Sequence, residues 1–302
     1  MSGGARAAGW TGLTCATAAV GLGILYLAAA GAPVRMIALN IAAWLVGLAA
    51  YATIRMPDWR VGAVRRWLPA LLGGTLLATA LLGTPVEGAA RWAAIGPLVL
   101  QASLLFVPLL LILFARAATA AGLAGIALSA LGLALQPDRA MAGVLLAGVA
   151  VGLAYRRDRF TLTAIAAAGG GFAAALAQPD MLPAVPFVDR IFYTAFAVHP
   201  LAGAALLVGS ALLLVPALLR SRDAGERLPA SVFGIAWLAI IAAAAIGNYP
   251  TPVVGYGGSA IVGYLLSLAV LRPTRTVAGA RRGDLPADER RNPDSSLSAS
   301  LA

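Results

Sequence analysis

The side chains able to carry chemistry are few, and they lie between long apolar runs. Four carboxylates fall on connectors that lead out of one side of those runs: Glu87, Asp138, Asp180 and Asp189. At a low-dielectric boundary the charged form of a carboxylate is disfavoured, so its pKa rises toward the range in which it serves as a general base. In an open loop the same group stays solvated, and charge alone does not separate the two cases. Arg91, Arg139 and Arg190 lie on the same connectors, and a guanidinium can hold an anionic group through paired N–H donors. His199, the single histidine, is about 15 Å from Asp189 if a helix separates them and lies off its face, so it reads as a hydrogen-bonded structural group. Cys15, the single cysteine, offers no disulfide framework, no metal-ligand spacing and no thiol–histidine pair. Pro250-Thr251-Pro252 and then Gly255-Tyr256-Gly257-Gly258-Ser259 open the last apolar run. Glycines so placed permit close backbone approach or a broken helix, which a bilayer tolerates only against protein or a wet cavity. Tight packing by small residues and a ligand groove both fit that stretch.

The elements that must position these groups follow from composition. Of 302 residues, 61% are apolar and 11% charged, an excess that one soluble core cannot hide and that excludes a soluble enzyme with one anchor. A spanning helix uses about 20 residues, and breaker-to-breaker runs occur at 12–30, 36–54, 66–83, 98–115, 118–135, 140–154, 160–177, 191–219, 230–247 and 255–271. The expected fold is therefore an all-α polytopic membrane protein of about ten transmembrane helices. One membrane domain covers 1–272, and a Pro-, Ser- and Arg-rich tail, 273–302, is expected to be disordered in the cytoplasm. The first run reads as a retained helix and not as a cleaved signal peptide.

All 22 basic residues are arginine, and they exceed the 12 acids by ten. Ten spans with both termini in the cytoplasm put 18 arginines and 8 acids inside, and leave four of each outside. The basic excess is thus an orientation signal under the positive-inside rule and not a nucleic-acid footprint. Apart from Arg66 at the first position of 66–83, no charge falls within a run, and no inverted repeat is visible, which disfavours an ion-coupled transporter.

Four stretches resemble the SEDS family of RodA, FtsW and SpoVE type, in that family's order. Pro252 to Ser259, followed by Leu265, Leu266 and Leu268, is similar to its PLPFISYGGSS signature. Gly88-Ala89-Ala90-Arg91-Trp92, Gly96 and Gln101-Ala102-Ser103 resemble NGARRW…G…QPSE; Leu135-Gln136-Pro137-Asp138 resembles LQPDLGTA; and Asp189-Arg190-Ile191-Phe192 with Gly203 resembles TDFIF…G. The resemblance covers roughly 84–271, and the topology agrees with it.

The resemblance implies a peptidoglycan glycosyltransferase of the division or elongation machinery. It would polymerise lipid II, a polyprenyl-linked sugar, outside the cytoplasmic (inner) membrane of a bacterium, beside a single-pass class B transpeptidase. It makes Asp189 the catalytic residue. Its matched stretches place Arg91, Trp92, Gln101, Ser103, Gln136, Asp138, Tyr256, Gly257, Gly258 and Ser259 at substrate binding, and with Arg91 the outer-face arginines Arg139 and Arg190 are expected to screen the lipid pyrophosphate that this reading implies. No cofactor is certain, although four outer acids would allow a divalent cation. The chain departs from the pattern where the family keeps an acid and a lysine, here Leu104 and Val107. It departs again at Ala197 and Val198, which replace carboxylates, and in a short connector before Asp189. A non-catalytic relative that binds a lipid-linked sugar or a membrane partner and regulates envelope growth is the alternative.

Overall fold

A computed structural model of the protein describes residues 3–54, 63–83, 90–95, 98–179 and 183–271. Glu87, Gly88, Gly96, Asp180 and the expected tail at 273–302 lie outside the described residues. The apolar runs fold as helices: α1 Gly3–Ala29, α2 Val34–Ile54, α3 Ala63–Leu82, α4 Ala102–Arg116, α5 Ala120–Leu135, α6 Arg139–Tyr155 and α7 Arg159–Leu176. After them come α8 Ile191–Val198, α9 Pro200–Leu212, α10 Val215–Arg220, α11 Arg227–Ile246 and α12 Gly258–Val270. Trp10–Ala29, Val34–Ile54, Arg159–Leu176, Pro200–Arg220 and Arg227–Ile246 are long and apolar enough to cross a bilayer. Arg66–Leu82, Ala102–Arg116, Ala120–Leu135, Arg139–Tyr155 and Gly258–Val270 are shorter apolar helices. The chain is an all-α polytopic membrane protein.

Two expected runs differ in detail. The stretch 191–219 is broken into α8, α9 and α10. Pro200 cannot donate to the helix before it, and the Leu201 N–H instead donates to His199 Nδ1 at 3.1 Å, so the lone histidine caps α9. The start of the fourth run is not helical. Trp92–Ile95 (β1) and Leu98–Gln101 (β2) pair antiparallel, with Trp92 opposite Gln101. Gly96-Pro97 between them is a turn signal that an apolarity reading passes over.

The hydrogen bonds sort the connectors onto two ends. At one end Arg91 meets the turn after α5, Gln178 meets Ala134, and Asp189 bridges to Pro250. At the other, Arg116 pairs with Glu226 at 2.7 Å and donates to the carbonyls of Val270 (2.8 Å) and Leu271 (2.5 Å). Arg156 donates there to Phe114 and Ala115 at 3.1 and 3.3 Å. Arginines at helix C-termini satisfy orphan carbonyls and complement the helix dipole, so these residues bind the helix ends together.

Between the two ends the helices approach closely. A Cβ on Gly263 of α12 would lie 2.1 Å from the Leu104 carbonyl oxygen of α4, so only glycine permits this crossing. Trp237 and Tyr264, both fully buried, meet edge-to-face at 4.9 Å. Their polar atoms are spent on Ser267 Oγ (3.1 Å) and the Leu213 carbonyl (2.9 Å). This packing fixes α12, and with it the loop that opens α12, against α4 and α11.

Candidate functional site

The site begins in a tight loop that delivers Asp189 to the start of α8. The N–H groups of Val188 and Asp189 donate to the Val185 carbonyl at 3.2 and 2.9 Å, and the Val185 N–H donates to Asp189 Oδ2 at 2.8 Å. Asp189 is 8% exposed, and its other oxygen, Oδ1, is buried without a hydrogen-bond partner. Burial pushes its carboxyl above the usual aspartate range, and the Val185 N–H offsets only part of that rise. A second loop, before α12, is stitched to the first. Asp189 pairs with Pro250, Thr251 N–H donates to the Val188 carbonyl at 3.0 Å, and Tyr256 N–H donates to the Phe187 carbonyl at 2.9 Å. Phe187, Arg190 and Val253 hold left-handed backbone at φ 64, 58 and 66. Such conformations cost about 1–3 kcal/mol each, persist only where the surroundings over-determine them, and concentrate at functional sites.

Together with the β1–β2 hairpin these loops enclose a cavity of about 390 Å³. Arg91 and Trp92 come from the hairpin, Gln101 and Leu104 from the entry to α4, Asp189 from the first loop, and Tyr249 and Tyr256 to Ser259 from the second. Asp189 is the one carboxylate lining it among the described residues. Arg91, 4% exposed, donates from Nε to the Gln136 carbonyl (3.3 Å) and from Nη2 to the Pro137 carbonyl (2.5 Å). A guanidinium is therefore fixed at the wall by the C-terminal end of α5.

Behind the wall lies a buried polar network. Asp138 is fully buried and caps α6: Oδ1 accepts from Met141 N–H at 3.1 Å, and Oδ2 from Ser103 Oγ at 3.0 Å and Gln101 Nε2 at 3.4 Å. Gln101 Nε2 also donates to the Tyr249 hydroxyl at 2.9 Å, and Gln101 N–H donates to Ser259 Oγ at 2.9 Å. Burial, and secondarily the Asp138 charge, hold the Tyr249 phenol well above its ordinary value, so it stays neutral. The network fixes the wall while keeping its own carboxylate off the cavity.

Eight of the residues assigned from sequence line this cavity: Arg91, Trp92, Gln101, Asp189, Tyr256, Gly257, Gly258 and Ser259. Ser103 and Asp138 stand one layer behind it. Gln136 turns its amide to the Leu76 carbonyl at 3.1 Å. Two arginines point elsewhere. Arg139 reaches the Gln178 carbonyl, because the first residue of α6 projects away from its cap, and Arg190 is exposed on the left-handed residue before α8. Sequence reasoning missed Tyr249 and Asn40. Asn40 is the one amide in an otherwise apolar run, which was the available signal. Among the described residues no three His, Cys, Asp or Glu side chains gather as a metal site would need.

No protein-family profile matches the chain, and none of the curated proteins does. Solved structures do. The Thermus thermophilus rod shape determining protein RodA aligns at a TM-score of 0.63 and 22% identity over 87% of this chain and 95% of its own. An aspartate-to-alanine mutant of that protein aligns at 0.62 and 24%, with the same coverage. A chain from a study of how a peptidoglycan synthase complex coordinates polymerization and crosslinking aligns at 0.60 and 24%, over 91% of this chain and 98% of its own. Likeness at this identity shows architecture, and the chain carries the fold of the RodA rod shape determining protein.

Proposed function

We propose that the protein is a SEDS-type cell-wall synthesis protein of the bacterial cytoplasmic membrane, and that its cavity polymerises lipid II at the outer face. The carrying observation is Asp189. One carboxylate oxygen is fixed by the Val185 N–H, the other is buried without a partner, and burial raises its proton affinity. The residues that carry the family resemblance, Arg91-Trp92, Gln101, Asp189 and Tyr256 to Ser259, meet at that same cavity.

In the reaction the acceptor sugar hydroxyl transfers its proton to Asp189 as its oxygen bonds to the donor anomeric carbon. The bond from that carbon to the pyrophosphate oxygen breaks, and the lipid pyrophosphate leaves with the electron pair. Arg91 offsets the charge that develops on it. Among the described residues the lining offers a single carboxylate and no histidine or cysteine, and no step runs through a divalent cation. A single-pass class B transpeptidase is the proposed partner, a reading supported by the similar chain from a peptidoglycan synthase complex.

One observation favours the non-catalytic alternative. Leu104, where the family keeps an acid, lines the cavity, and Val107, where it keeps a lysine, is fully buried in the core. The test is purified full-length protein with labelled lipid II. Moenomycin-insensitive polymer that disappears in Asp189→Asn and persists in Asp180→Asn supports the enzyme; binding without polymer supports the regulator.

A further inference from the structure

The second cavity loop, Tyr249 to Gly257, is held from two sides. On the Asp189 side the bonds from Thr251 and Tyr256 to Val188 and Phe187 tie it down. Gln101 holds the Tyr249 hydroxyl at the start of the loop, and among the described residues the Asn40 side chain holds its far end. Asn40 of α2 is 1% exposed, its Nδ2 donates to the Gly255 carbonyl at 2.9 Å, and its Oδ1 accepts from the Gly257 N–H at 3.2 Å. The amide thus spans Tyr256, a cavity residue, and satisfies one acceptor and one donor of the loop at once. The loop is closely packed at this tie: a Cβ at Gly255 would meet Ile191 Cδ1 at 2.8 Å and the Thr251 carbonyl oxygen at 2.9 Å, so glycine is required there.

Packing alone does not explain Asn40. α2 is mostly exposed along its length, and an apolar residue at 40 would cost less to bury than an amide. A buried amide is retained at low cost only when both its halves are bonded, and here both bonds go to backbone at the edge of the cavity. Gly257, the cap of α12, also precedes Gly258 and Ser259, which line the cavity, and Ser259 Oγ accepts from the Gln101 N–H. A shift of the loop at Gly255 to Gly257 therefore moves the wall opposite Arg91 and Trp92.

We propose that Asn40 is a positioning residue that sets the cavity wall from Tyr256 to Ser259 in register with Asp189, so that ligand affinity depends on a residue outside the cavity. The inference rests on the lipid II reading for its ligand, but not for the tie itself. Full-length protein in nanodiscs is followed by amide hydrogen exchange and by equilibrium binding of fluorescent lipid II. Asn40→Leu is expected to speed exchange at residues 253–259 at least tenfold, with the other helices unchanged, and to weaken lipid II binding at least fivefold. A smaller folded fraction would lower binding capacity without changing Kd, so a purely structural role is separated from positioning. Asn40→Asp keeps an acceptor for the Gly257 N–H and should fall between wild type and Asn40→Leu, which provides the same reading if the leucine variant does not fold. Unchanged exchange at 253–259, or unchanged Kd in a well-folded variant, overturns the proposal. Wild type that does not bind lipid II overturns the ligand reading, while the exchange result still decides the tie.

Discussion

At the residue scale the proposed chemistry turns on one carboxyl group with two unlike oxygens. Asp189 is held by one backbone N–H and otherwise buried, with no cation paired to it among the described contacts. An aspartate whose folded pKa is raised contributes stability only below its ordinary range, and that contribution is lost as pH rises through the raised value. At neutral pH its charge is therefore a burden on the fold. Asp189→Asn is expected to reduce polymerisation at least about 100-fold while the thermal midpoint in detergent stays the same or rises. If the midpoint falls along with activity, Asp189 is structural. The acid limb of the wild-type pH–rate profile should lie above the usual aspartate range, because the base must be ionised to work. Asp138, also a carboxylate on the same connector side, shows the contrast. Both of its oxygens are occupied, so Asp138→Ala should cost about 1–3 kcal/mol of stability by stranding Ser103, Gln101 and the Met141 N–H. Sequence placed both acids on one side; it could not tell the filled one from the open one, because Ser103, which occupies the second oxygen of Asp138, lies 35 residues away.

At the element scale, local chemistry decides where helices stop. Asp158 caps α7, accepting from the N–H groups of Phe160 (2.8 Å) and Thr161 (3.1 Å), and it pairs with Arg156 at 2.8 Å. Desolvation pulls its pKa up, but the Thr161 hydrogen bonds and the Arg156 charge outweigh that and hold it below the usual value. Its contribution is present above the ordinary aspartate range and is lost as pH falls through the depressed value. Asp158→Ala should remove about 1 kcal/mol of stability at neutral pH, and the difference from wild type should vanish in acid. Equal midpoints at neutral pH would show that the cap contributes nothing. The helices themselves were legible, since long apolar runs bounded by glycine, proline and arginine have few other solutions in a bilayer. The break of 191–219 and the β1–β2 hairpin were not. Apolarity does not distinguish a straight helix from one interrupted at His199-Pro200, and Gly96-Pro97 is too short a signal to outweigh the run that follows it.

At the scale of the whole molecule, charge and packing divide the work between two ends. One end is tied by arginines that close helix C-termini, the other by stitched loops around the cavity. Gly263 joins them by letting α12 lie against α4. Gly263→Ala should cost about 1–3 kcal/mol, because a Cβ would meet the backbone oxygen of Leu104, which cannot move aside as a side-chain tip can. It should also impair the cavity, whose wall includes Leu104 and Ser259. Sorting 22 arginines and 12 acids by side is a reading of the sequence; among the described residues Arg116, Arg156 and Glu226 gather at one end, and Arg91, Asp138 and Asp189 at the other. Which outer arginine reaches the cavity was not readable, because Arg91 is aimed by carbonyls of the α5–α6 turn while Arg139 is turned to the end of α7. The central claim, that this cavity joins sugars, is tested most directly by incubating the purified full-length protein with labelled lipid II. Moenomycin-insensitive glycan polymer is expected from wild type and none from Asp189→Asn. Polymer of equal length and yield from both would contradict it.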